Sequence, residues 1–120
     1  MPELRYLDVA PKRLPRKWRS CGAFGPEGWS YERTDGLQVI CSIWFRDDKY
    51  WLHVSCARLA KLPSYKDLKE VKRVFVGEDK KAIMVFPPES EHVNIHPNCL
   101  HLYAPLGDDP LPDFSKEGSI

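Results

Sequence analysis

Three residues on one face of a single strand are this chain's best candidates for chemistry. In Tyr50 to Ala57, YWLHVSCA, strand alternation places Trp51, His53 and Ser55 on one side and Leu52, Val54 and Cys56 on the other. An imidazole beside a hydroxyl can relay a proton or hold an oxyanion, and a neighbouring indole can stack on a flat ligand. The opposite row, all small or apolar, reads as core.

Neighbouring elements must present that display. Leu37 to Phe45 alternates with Leu37, Val39, Cys41, Ile43 and Phe45 on one side and Gln38, Ile40, Ser42 and Trp44 on the other. Arg46-Asp47-Asp48-Lys49 is a polar hairpin loop. With Asp47-Asp48 at the tip, Trp44 lies opposite Trp51, Ser42 opposite His53 and Ile40 opposite Ser55. The same register sets Ile43 against Leu52 and Cys41 against Val54, so turn and pattern agree.

After Pro63, Ser64 caps a helix with Asp67 at its N3 position, Leu68, Val71 and Phe75 form the apolar stripe, and Gly77 ends it. Lys66, Lys69, Glu70 and Lys72 are expected to face away. Ala82 to Phe86, Val93 to His96 and Cys99 to Tyr103 read as further strands. The expected fold is a single small α+β domain, an antiparallel sheet of about four to five strands in ββαββ order with one helix on one face. One helix leaves the second face to Trp44, Trp51, His53 and Ser55, joined by His101 and Tyr103 or by Asn94 and His96.

Residues 37–105 make this core. Residues 1–36, rich in prolines and glycines but carrying Trp18, Phe24, Trp29 and Tyr31, are expected to wrap it as a loop-rich basic segment. Residues 106–120 read as an acidic flexible tail. Residues 1–20 hold six cations against two acids, while the net charge of the whole chain is +1, so composition gives no case for nucleic acid as a partner. No apolar run reaches the ~20 residues that span a bilayer, so no membrane role is expected. Cys21, Cys41, Cys56 and Cys99 form no CxxC pair, and no secretory segment leads the chain, which points to reduced thiols and a cytoplasmic setting.

His53-Val54-Ser55 looks like one half of the His-x-Ser/Thr pair of two-histidine phosphoesterases, in which two imidazoles work as acid and base across a phosphate. The second half is not clean: His101-Leu102-Tyr103 has a phenol in the hydroxyl position, and His96-Pro97-Asn98 breaks its strand. Alternatively, His53 and Ser55 only make cross-strand hydrogen bonds. His92 and His96 lack the helix and the cysteine pair that a zinc site needs, so neither metal nor cofactor is expected. Trp44 and Trp51 form a cross-strand pair which, if uncovered, would make a homo-oligomer seam or a ligand platform.

The run WLHVSCARLAKLPSYKDLKEVKRVFVG, followed by AIMVFPPESEHVNIHPNCLHLYAP, resembles a small family of bacteriophage and prophage proteins classed as a domain of unknown function. The shared features are a Trp-x-His-x-Ser strand, a Leu-Pro-Ser-Tyr helix start, and a His-Val-Asn…Leu-His-Leu-aromatic ending. The resemblance implies viral origin and action inside a bacterial host, and brings no accepted activity. The resulting expectation is a non-catalytic homo-oligomeric binding protein that engages a host protein or a small metabolite or nucleotide, with host modulation or anti-defence as its role. Its site would be Trp44, Trp51, His53, Ser55, Asn94, His96, His101 and Tyr103. A phosphoesterase-like enzyme acting on a nucleotide, and a purely structural or assembly protein, are the alternatives.

Overall fold

A computed structural model of the chain describes residues 5–23, 28–46, 48–58, 61–85 and 99–107. After a 3₁₀ turn at Tyr6–Asp8 come strands β1 (Trp18–Ala23), β2 (Gly28–Arg33), β3 (Gln38–Arg46) and β4 (Lys49–Ala57). Helix α1 (Tyr65–Val71) follows and widens into a π-helical stretch, Lys72–Val76, before β5 (Ile83–Val85) and β6 (Cys99–Pro105). The strands form one antiparallel sheet in the order β1-β2-β3-β4-β6-β5.

The β3–β4 register is the expected one, with Trp44 paired to Trp51, Ser42 to His53, Ile40 to Ser55, Ile43 to Leu52 and Cys41 to Val54. Arg46 closes on Lys49, and Asp48 takes the left-handed conformation (φ 59°) that aspartate tolerates in tight turns. One sheet face, with Val39, Cys41, Ile43, Leu52, Val54, Leu100 and Leu102, packs against Leu68, Val71, Phe75 and Val76 of the helix. The helix starts where its cap predicts: the Asp67 N–H donates to Ser64 Oγ at 3.1 Å, and the Asp67 carboxylate accepts from the Ser64 N–H at 2.9 Å. It stops at Gly77, whose φ of 110° a side chain would resist.

The N-terminal segment corrects the expectation most. It does not simply wrap a four- or five-stranded core, because Trp18–Ala23 and Gly28–Arg33 are two strands that extend the sheet sideways to six. The order is therefore ββββαββ. Of its aromatic residues, Trp18 and Tyr31 are buried and meet the Phe75 ring at 5.1 and 4.7 Å, Trp29 is half-buried, Phe24 lies outside the described residues, and Tyr6 is buried as well. The expected strand at Val93 to His96 lies outside the described residues.

Glu70 is the second correction. Rather than facing away, it joins α1 to the turn between β2 and β3 through Arg33, a cation only 6% exposed. The Arg33 guanidinium donates to Glu70 at 2.7 Å, to Asp67 at 2.6 Å and through two nitrogens to Asp35 at 2.7 and 2.6 Å. Arg58 donates to Asp35 at 3.1 Å and to Asp67 at 3.0 Å, while Lys17 lies 2.8 Å from Glu70. Three cations and three carboxylates thus close on one another where helix, hairpin turn and β1 meet. Among the described residues, no helix is long and apolar enough to cross a membrane.

Candidate functional site

The second sheet face is built from cross-strand rows. Antiparallel pairing aligns Ser42, His53, Tyr103 and Ile83 across β3, β4, β6 and β5. The adjacent row carries Ile40, Ser55 and His101, and the row beyond His53 carries Trp44 and Trp51. His53 and His101 are therefore diagonal neighbours on β4 and β6, a separation that long side chains bridge. Their rings do so: His53 Nε2 lies 2.8 Å from His101 Nδ1, a hydrogen bond in which one neutral imidazole donates and the other accepts.

Aromatic rings enclose this pair. The Trp44 ring lies 4.3 Å from that of His53, Tyr103 stacks on His53 at 4.8 Å, and the two imidazoles lie edge to edge and nearly coplanar, with centroids 5.0 Å apart and planes 16° apart. The Trp44 indole N–H donates to Ser42 Oγ at 3.0 Å, which fixes the indole over the imidazole. Trp51 and Tyr103 are each 1% exposed and His53 is 8% exposed, so this face is largely closed. Ile40, Ser42, Trp44, Ser55, Ile83 and His101 keep partial access. Since Trp51 is buried within a single chain, its indole does not call for a second copy to cover it.

Burial, and then the repulsion of a second imidazole beside it, pushes the His53 pKa down to about 3. The unfolded chain takes up this proton near pH 6.5 and the folded chain only near pH 3. Stability should therefore fall as pH drops through that window, by at most about 1.4 kcal/mol per pH unit, and stop falling on this account below it. Denaturant melts between pH 7 and 4 should show this slope in the wild type and lose it in His53→Gln. An unchanged slope in the variant would assign it to another group.

Of the residues expected at the site, the structure brings Trp44, Trp51, His53, His101 and Tyr103 into one cluster. Ser55 sits opposite His101 in the ladder and beside the buried Cys99 thiol, whose pKa is raised to about 11 by burial. Asn94 and His96 lie outside the described residues. Among the described residues, no three histidine, cysteine or acidic side chains converge as metal ligands. Two features were not foreseen: the direct imidazole bond, which depends on ring orientation, and Cys99 beside Ser55, which depends on the diagonal offset of β6.

A profile for a domain of unknown function, DUF7694, matches residues 43–107. That is just over half the chain. The chain belongs to this family. The DUF7694 segment runs from the middle of β3 to the residues after β6, so it contains every ring of the cluster and α1 but neither β1 nor β2. No curated protein and no solved structure matches the chain.

Proposed function

We propose that this is a small binding protein, encoded by a phage or prophage, that acts without chemistry of its own in the cytoplasm of its bacterial host. It engages a host protein, or a small metabolite or nucleotide, through the accessible rim formed by Ser42, Trp44, Ser55 and His101. The observation that supports this reading is the 2.8 Å bond between His53 and His101. A phosphoesterase needs two imidazoles aimed at a gap wide enough for a phosphate, whereas here one ring nitrogen of each is committed to the other. A neutral, enclosed His53 also suits a fixed support better than a proton donor at neutral pH. The phage setting, and a role in modulating the host or blunting its defence, rest on the resemblance of the Trp-x-His-x-Ser and Leu-His-Leu-aromatic strands.

Trp44 and His53 then divide the labour. His53→Ala removes the bond to His101 and the ring packed between Trp44 and Tyr103, and should destabilise the fold by about 1–3 kcal/mol. Trp44→Ala should remove the association. The test is capture from infected cells with tagged wild type and Trp44→Ala, read by mass spectrometry for proteins and small molecules, with light scattering for self-association. A partner held by the wild type and lost by the variant is the expected result. Nucleotide hydrolysis by the wild type that His53→Ala abolishes would replace this reading with the phosphoesterase one.

A further inference from the structure

We propose that the groove between α1 and the start of β1 binds the phosphodiester backbone of a nucleic acid. The groove, about 480 Å³, is lined by Lys17, Lys66, Lys69, Lys72 and Arg73 together with two glutamates. A neighbouring depression of about 430 Å³ shares Lys17 and adds Arg16 and Arg19. The cations of residues 16–19 and of residues 66–73 are far apart in sequence, and folding gathers them on one side. A chain with a net charge of only +1 thereby acquires a strongly cationic surface.

The acids nearby cancel part of it: Glu70 pairs with Lys17 as well as Arg33, Glu32 pairs with Arg19, and Glu78 also lines the groove, while Asp67 is held by Arg33 and Arg58, so the five groove cations still outnumber its two glutamates. Among the described residues, Lys66, Lys72 and Arg73 enter no ion pair, and Lys66, Lys69 and Arg73 are exposed.

The composition of the groove favours phosphates over an acidic protein. Four of its five cations are lysines, a residue depleted at protein–protein interfaces, whereas phosphate contacts need little more than a positioned positive charge. Tyr65, immediately before Lys66, is 68% exposed, and the Lys69 ammonium sits 5.0 Å from its ring centroid. An exposed aromatic face beside a cationic groove is the combination that holds a strand by its phosphates and stacks one base.

Fluorescence anisotropy with short single-stranded DNA, duplex DNA and RNA tests this and separates the sources of phosphate. Binding to at least one is expected, with a log–log salt slope of about −2 to −4 for three or four displaced counterions. The double charge reversal Lys66→Glu/Arg73→Glu should weaken it about tenfold or more. Lys12→Glu/Arg13→Glu changes net charge equally but neither residue lines the groove, so it should stay within about threefold of wild type. Lys69→Gln, a milder change at an exposed site, should reduce the slope by about one. The proposal is overturned if no nucleic acid binds at about 50 mM salt, if both double variants lose affinity equally, or if polyglutamate binds as tightly as the nucleic acids.

Discussion

Arg33→Ala is expected to destabilise the protein by about 3–5 kcal/mol, the loss that follows when one partner of a buried ion network is removed and the others stay buried. Among the described residues, Arg33 is the only cation that touches Asp35, Asp67 and Glu70 together. Without it, the Asp67 carboxylate keeps Arg58 and the Ser64 cap, and Glu70 keeps Lys17 and the Trp18 indole N–H. The exposed pair Arg19–Glu32 is the control, and Arg19→Ala should leave stability essentially unchanged. Equal losses from the two variants in a urea melt would contradict the network.

The same network predicts acid behaviour. Hydrogen bonds from Arg33 hold the Asp35 carboxyl down at about 2. Burial alone would raise Asp67, but hydrogen bonds from Arg33, Ser64 and Arg58 outweigh it and hold that carboxyl lower still. Both contributions are complete above the unfolded carboxylate pKa near 4 and disappear as pH falls through 2 and below. They therefore act below most of the window in which His53 acts.

Phe75→Ala is the second large effect, again about 3–5 kcal/mol through lost burial and a residual cavity. Phe75 is 4% exposed, lies edge-on to Trp18 and touches Tyr31, so truncation opens the seam where the π-helical stretch covers β1 and β2. Lys69→Ala, on the outer side of α1, should change stability little. Comparable shifts in denaturant midpoint for the two would mean that the helix is packed the other way round.

How much of this could be read in advance depended on whether two local signals coincided. The β3–β4 register was legible because alternation and a polar turn demanded the same pairing. Helix α1 was legible because Ser64 with Asp67 marks its start and Gly77 its end. Strands β1 and β2 were not, because β1 exposes Arg19, Ser20 and Cys21 in succession and shows no apolar alternation. Gly22, at φ 112°, lies at a β-bulge that shifts the register there. Arg33 and Glu70 are 37 residues apart, and no periodicity within either segment announces such a pair. At the candidate site, alternation put Trp44, Trp51, His53 and Ser55 on one face but left open whether His101 and Tyr103 or Asn94 and His96 join them, and said nothing about how closed the face is. Burial is a property of the assembled sheet, and it changes His53 from a surface group into an internal one.

The state of His53 is therefore the point on which the account turns, and NMR titration of the imidazole nitrogens measures it directly. With wild type labelled at histidine nitrogen, the His53 signals should remain those of a neutral ring from pH 8 down to about pH 4, and should show a hydrogen bond at Nε2. A His53 that gains its proton near pH 6.5, with Nε2 open to solvent, would contradict the enclosed imidazole pair and the binding reading built on it.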